Sequence, residues 1–532
     1  MRGSRSEKRG AGEKVESSDS GPPSPAHGAG LRALWGAAAL LLLAAGLRLF
    51  VLERSFPIAL LGDENYYLQT AESLARGDGH RAGESRASWP PGQSFFLSLF
   101  VREPGPAPSA AGARGPGRHE AGGRSEADLR RMLRAQVALG SLLVLLSAGL
   151  GRALFDARTG LAAGALAAVD PTFIAFSHSL WSETLFAVAS TGALWALVEG
   201  ERRQSARLAV ASGLLLGVAA LTREIALPIA AACGFWWAWR AGPERRPAAL
   251  ARAALLVGVA VLIVLPWSLR NYAVLGRAVP VSTAGWFNLR EGNTLSRRDW
   301  MRVDYGALRA FRARHFAIRD ELERADQARR EALALIRSEQ PGWIYKKTLR
   351  NLALLFGPDS LLFYKLRMDA YGPLPPQLVR ALLLATATGY AALFAAAVLG
   401  LAAAPARLGS LPLVAFAPAV AIHILANAHS RYRFPLMPLL MIYAGFALVH
   451  ARALRRLARP RRLIPALLVL LFFAGVCVPP FLRTARALWR HAGSSSLHSE
   501  AQRPAEGAPA QPRGGARIAL RAPSTGSVTP LT

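Results

Sequence analysis

Two neighbouring carboxylates, Asp63 and Glu64, follow directly on the first long apolar stretch of this 532-residue chain, in the run Gly62-Asp63-Glu64-Asn65-Tyr66-Tyr67. A carboxylate can take a proton from an attacking hydroxyl or help to hold a metal ion. Two of them at a membrane boundary are costly if buried without partners. A structural reading competes. Tyr67, Leu68, Ala71, Leu74 and Ala75 recur at helical spacing, so the acids would cap and acidify the first turn of a helix lying on the membrane surface. Glu183 poses the same choice, because Ser182-Glu183 opens an apolar run as an ordinary cap and N-terminal acid would. Arg270, Arg431 and Arg433 each stand beside an apolar run. The guanidinium fork suits phosphate oxygens, although arginine also anchors helices at interfaces by snorkelling. His178 has no second His or Cys at ligand spacing, which makes it a polar interface residue rather than a metal ligand.

Membrane helices have to position these groups. Hydrophobic residues make up 52% of the chain and charged residues 18%, with mean hydropathy +0.23. Runs long enough to cross a bilayer, ~20 residues each, occupy 31–52, 132–154, 158–177, 182–199, 206–222, 224–240, 249–267, 377–400, 409–427, 434–451 and 463–482. About 11 spans are therefore expected by that length criterion. Cys233 and Cys477 both lie inside apolar runs and read as small buried hydrophobes. The net charge of +30 suggests nucleic acid at first sight. Its distribution excludes that partner, because the arginines crowd into short loops between spans: Arg202, Arg203 and Arg207; Arg240, Arg245, Arg246 and Arg252; Arg452 through Arg462. That is topology control by cytoplasmic basic residues. With these loops and the N-terminus inside, the outer side receives the first loop (53–131), Ser177–Ser182, a large loop (268–376) and His429–Arg433. All the candidate residues then share the non-cytoplasmic side.

Tails 1–30 and 484–532, rich in Gly, Ser, Pro and Arg, are expected to be disordered, the first of them cytoplasmic. The domain between them runs from 31 to 483. In its first outer loop, Gly92–Val101 is too short to span, since ten helical residues cover ~15 Å. An interfacial helix is expected there, then a flexible Gly/Pro/Ala-rich insertion at 103–125. In the large outer loop, 306–340 reads as one helix ended by Pro341, and Tyr345–Tyr364 as a surface-lying stretch.

The order of motifs is more specific than any one of them. Asp63-Glu64-x-x-Tyr67, Gly77, Gly79, Trp89-Pro90-Pro91-Gly92, Ser182-Glu183-Thr184-Leu185-Phe186, Leu221-Thr222-Arg223, Pro266-Trp267-Ser268-Leu269-Arg270-Asn271-Tyr272, Glu291-Gly292-Asn293 and Arg431-Tyr432-Arg433-x-Pro435 follow one another. From about residue 31 to about residue 450 this resembles the GT-C superfamily of integral-membrane glycosyltransferases. Within it, the chain looks most like the bacterial family 39-like group, which is similar to protein O-mannosyltransferases and aminoarabinose transferases. The resemblance implies an all-α integral-membrane bundle with interfacial helices in its outer loops. It also implies a polyprenyl-phosphate sugar donor, and inverting transfer to an acceptor hydroxyl at the outer face of the bacterial plasma (inner) membrane. Asp63 would be the catalytic base. Glu64 would orient the acceptor or hold a divalent metal, the one cofactor left open, and Glu183 would be a second acid. Arg270, Arg431 and Arg433 would meet the charge developing on the lipid phosphate. Neither sugar nor acceptor is specified: a protein hydroxyl, lipid A and a polysaccharide all stay open. The rival readings are a transporter or flippase for lipid-linked sugars and a non-catalytic membrane protein. The interrupted helices and repeats expected of a transporter are not evident in the sequence. If the enzyme reading holds, Asp63, Glu183, Arg270 and Arg433 should face one cavity.

Overall fold

The computed structural model describes residues 25–105, 119–120, 125–452 and 460–491, apart from positions 58, 297, 298, 300, 369 and 373. Most of the N-terminal tail, of the 103–125 insertion and of the C-terminal tail lies outside the described residues, as do Arg455, Arg456 and Arg459. Along the chain run α1 (Pro25–Arg54), α2 (Asp63–Ala75), α3 (Gly92–Ser98), α4 (Glu126–Leu154), α5 (Ala157–Val169), α6 (Pro171–Phe176), α7 (Glu183–Arg203), α8 (Ala206–Thr222), α9 (Ala226–Arg240), α10 (Arg246–Leu275), α11 (Ala284–Gly292), α12 (Tyr305–Ala317), α13 (Glu321–Ser338), α14 (Gly342–Phe356), α15 (Leu361–Arg367), α16 (Pro376–Ala403), α17 (Ala406–Leu425), α18 (Met437–Val449), α19 (Pro460–Phe472) and α20 (Val478–His491). Two-residue strands, β1 (Ala59–Leu60) and β2 (His119–Glu120), pair antiparallel. The rest of the described architecture is helices and their connections, a multi-pass bundle of the expected class.

Every predicted span falls on a helix, but the helices are not equivalent. Among the described residues, six helical segments are long and apolar enough to cross a membrane: Leu34–Arg54, Glu126–Leu154, Pro243–Leu275, Pro376–Ala403, Ser430–Val449 and Arg461–Arg483. Shorter apolar helices complete the bundle, among them α5 and α8. The expected span at 158–177 is broken in two. Asp170 ends α5 and caps α6, its Oδ1 accepting from the amides of Thr172 at 2.9 Å and Phe173 at 3.0 Å, and Pro171 takes the first helical position, where a missing N–H costs nothing. The expected single helix over 306–340 is likewise two, α12 and α13. Asp320 accepts from the amide of Glu323 and starts the second, so a cap overrides the continuous apolar periodicity. Gly92–Ser98 forms a short helix within the stretch 92–101 where one was expected.

Side chains are small where helices must approach closely. A Cβ at Gly217 of α8 would lie 2.6 Å from Ile263 Cβ on α10, and one at Gly213 would lie 3.0 Å from Val259 Cβ. This small-residue face, which lets backbones come together inside a bilayer, fixes the end of α8 against α10. Helices α4, α5, α7 and α18 surround a core that includes Leu143, Phe186, Leu194 and Ile442.

Candidate active site

The site is built where several helix ends meet. Gly62 has φ 56°, a left-handed backbone that favours glycine, and it turns the chain from β1 into α2. Asp63 and Glu64 thus occupy the first turn of α2, with no side-chain cap at Gly62. The turn separates them. Asp63 lines a cavity of about 290 Å³. Glu64, 1% exposed, points into the protein. Its Oε2 accepts from Leu61 N at 2.8 Å. Its Oε1 accepts from Ser179 Oγ at 2.7 Å and Leu180 N at 2.9 Å, and pairs with Lys365 Nζ at 3.3 Å. Lys365 is fully buried and also donates to His178 O. Glu64 therefore welds α2 to the 177–182 loop and to α15.

Asp63, Arg431 and Arg223 line the cavity, and Glu183, buried just behind them, links the two arginines. Arg431 Nη2 lies 2.7 Å from Asp63 Oδ2, and its Nε lies 3.7 Å from Glu183 Oε1. Arg223 Nη1 donates to the same Glu183 oxygen at 2.6 Å. The Arg431 guanidinium sits over Trp181 and Tyr432, and that of Arg223 over Tyr432. Burial acts most strongly on Arg223, against its charge, but Glu183 together with Tyr432 and Tyr67 outweighs it and holds the guanidinium above its ordinary pKa. Glu183, at the first position of α7, is the shared centre of the pair of cations. Tyr67 Oη donates to Ser182 Oγ at 3.2 Å across the same wall. The Arg-rich turns around 200–207 and 240–252 lie at the opposite ends of α7 to α10 from those that meet here.

The other predicted arginines sit elsewhere. Arg270 donates to Arg86 O at 3.0 Å and His80 O at 3.3 Å and stacks over Trp267, so it ties α10 to the first outer loop. Arg433, 2% exposed, donates to Leu355 O, Gly357 O and Asp359 O and covers the Tyr390 ring. It braces the link between α14 and α15. Neither lines the cavity. Of the four residues expected to converge, Asp63 and Glu183 meet through Arg431, while Arg270 and Arg433 remain apart. His178 is buried with Nε2 2.9 Å from Arg48 O. Among the described residues no three His, Cys, Asp or Glu are grouped to hold a metal ion, and Asp63 and Glu64 face different partners.

The site also holds residues that sequence reasoning passed over. Glu224, Ser282, Asn288 and Asn427 line the cavity. Glu224 adjoins Arg223 at the predicted outer end of a span, and Asn427 follows His423 by four residues in an apolar run; polar residues in such places are the signal. Glu321, the first residue of α13, accepts from the amides of Arg86 and Ala87 and from the hydroxyls of Ser88 and Thr283. It clamps together the segments that carry Trp89-Pro90 and Ser282 to the wall. Behind that wall, one face of α14 presents Lys347, fully buried, and Arg350. Lys347 donates to Gly292 O, and Gly292 abuts Ala426 and Asn427. Arg350 donates to Asn351 Oδ1 while its Nε has no partner. Among the described residues neither cation has a carboxylate at ion-pair distance.

Comparison with known proteins agrees with the motif order in part of the chain. Residues 126–269 match the family model described as dolichyl-phosphate-mannose-protein mannosyltransferase. This segment includes Glu183 and Arg223. No curated protein matches. Among solved structures, the chain is similar to the apo oligosaccharyltransferase of Archaeoglobus fulgidus (16% identity, TM-score 0.46, covering 87% of this chain and 56% of that one). It is also similar to the archaeal oligosaccharyltransferase AglB from Archaeoglobus fulgidus solved with an inhibitory peptide and a dolichol-phosphate (20%, 0.45, 87% and 56%). A third similar structure is ArnT from Cupriavidus metallidurans bound to undecaprenyl phosphate (16%, 0.40, 85% and 64%). The chain thus spans just over half the length of the archaeal chains it matches.

Proposed function

We propose that this chain transfers a sugar from a polyprenyl-phosphate donor to an acceptor hydroxyl at the non-cytoplasmic face of a bacterial plasma membrane. The observation that carries the reading is the ion-paired row Asp63, Arg431, Glu183, Arg223, of which Asp63, Arg431 and Arg223 line one cavity while the buried Glu183 pairs with both arginines from behind. Asp63 accepts the proton of the acceptor hydroxyl as its oxygen bonds to the anomeric carbon. The bond from that carbon to the phosphate oxygen breaks, its electron pair leaves with polyprenyl phosphate, and the anomeric centre inverts. Arg431 and Arg223 meet the charge that grows on the leaving phosphate, from fixed positions that need no reorganisation. Glu183 holds both guanidiniums in place. The family match over 126–269 supports glycosyl transfer. The Arg-rich turns at the far helix ends support a cytoplasmic side opposite the cavity. Glu64, Arg270 and Arg433 act as supports of this site.

The test is purified protein with radiolabelled polyprenyl-phosphate sugars. Acceptor-dependent release of free polyprenyl phosphate is expected. Movement of the intact lipid-linked sugar across vesicles with no release would replace the enzyme by a transporter. Binding without either would leave a non-catalytic membrane protein.

A further inference from the structure

Besides Asp63, Arg431 and Arg223, the cavity is lined by polar residues that are not ion-paired. Glu224 follows Arg223 in the chain, yet no cation stands at ion-pair distance from its carboxylate among the described residues. Ser282 Oγ donates to its Oε2 at 3.2 Å. Its Oε1 lies 3.5 Å from where a Cβ on Gly285 would stand. Asn427 lines the same cavity and is 5% exposed, and its amide Nδ2 has no acceptor. A buried amide donor without a partner is costly in a finished fold, which points to a ligand atom as the missing partner. Trp89 contributes an indole to this lining.

A carboxylate, with more acceptor sites than Ser282 fills, and one open amide donor, in a cavity that an indole also lines, do not suit a phosphate. An anion placed against Glu224 would meet repulsion, and a polyprenyl tail would leave Asn427 unpartnered. They suit vicinal hydroxyls on a ring, each of which can donate to a carboxylate and accept from an amide. We infer that Glu224 and Asn427 form the subsite that reads ring hydroxyls of the transferred sugar, with Trp89 as its apolar floor. This rests on the glycosyl-transfer reading above. A Glu224 oxygen in this lining gains from a neutral hydroxyl donor.

The experiment compares binding of two lipids to the purified full chain in nanodiscs by calorimetry: bare polyprenyl phosphate and the same lipid carrying a hexose. The wild-type protein should bind the glycosylated lipid about tenfold more tightly or better, as expected when buried polar groups find their partners. In Glu224→Gln and in Asn427→Ala that preference should fall below about threefold, with unchanged thermal unfolding and with affinity for the bare lipid within about twofold. A preference that survives both substitutions overturns the subsite and leaves the transferase reading intact. A wild-type protein that binds the bare lipid but shows no preference for the sugar does the same. If neither lipid binds, the proposed function falls and the subsite falls with it.

Discussion

Asp63 and Glu64 are adjacent in the chain, and Arg431 and Arg433 nearly so, yet each pair is divided between two regions that handle charge in opposite ways. On the cavity wall, Asp63 and Arg431 share one contact, and each is about one-fifth exposed. Behind it, Glu64 and Arg433 are almost fully buried. Glu64 takes two amides, a hydroxyl and an ammonium. Arg433 serves three carbonyls. A group saturated in this way holds elements in place and has little left for a ligand. A partly exposed group at a cavity, such as Asp63 with Arg431 as its ion-pair partner, can exchange that contact. Chemistry at this site should therefore follow the unsaturated members, and stability the saturated ones.

Four single substitutions, and one second-site change, can break that contrast. Asp63→Asn should lower turnover by ~10²-fold or more, since an amide cannot take the acceptor's proton, while yield and thermal unfolding stay near wild type. Single-turnover transfer in a well-expressed variant measures this, and near-normal turnover would take Asp63 out of the mechanism. Glu64→Gln should do the reverse. It strands Lys365 in the interior and should cost ~3 kcal/mol of stability, read by denaturation of the detergent-solubilised protein. Adding Lys365→Met should recover much of that loss, because no lone charge then remains buried. Arg431→Lys keeps the charge but loses the planar fork, so ~10-fold in turnover is expected with little change in unfolding. Arg433→Lys should leave kcat within ~3-fold while lowering thermal stability, because an ammonium cannot reach three carbonyls spread over the 355–359 segment as a guanidinium does. An Arg433→Lys variant that folds normally but loses turnover would move Arg433 back among the groups that act on the donor.

What was legible in the sequence depended on the kind of question. Apolar length and Arg-rich turns located the helices, and the same pattern predicted that Asp63, Glu183 and Arg431 would share one end of the bundle. Breaks such as Asp170-Pro171 and Asp320 were harder, because a cap is a local hydrogen-bonding choice inside an otherwise continuous periodic run. Within the shared end, the sequence could not rank neighbours. Adjacent helical residues diverge by about 100°, enough to send Asp63 to the cavity and Glu64 to the core. Arg431 and Arg433 lie in the 3-10 turn Ser430–Leu436, where two steps turn the side chain through about 240°. Arg270 illustrates the same limit at the end of α10. Its height in the bundle is set by the span, but which neighbour it meets is set by helical phase and by the fold of the 80–86 segment.

The two cations on α14 have a consequence for the thermodynamics of any anionic ligand. Burial, reinforced by Arg350, holds Lys347 well below the ordinary lysine range, so this amine, with no carboxylate at ion-pair distance among the described residues, resists protonation. Negative charge arriving on the far side of Ala426 and Asn427 favours the protonated form. Binding then draws a proton from solution, which makes affinity for a lipid phosphate rise as the pH falls across the range where Lys347 titrates. Calorimetry of polyprenyl phosphate binding in buffers of different ionisation enthalpy should register that uptake, and Lys347→Met should abolish it. The wall behind the cavity would then act as a latent counter-charge, recruited by the ligand it serves.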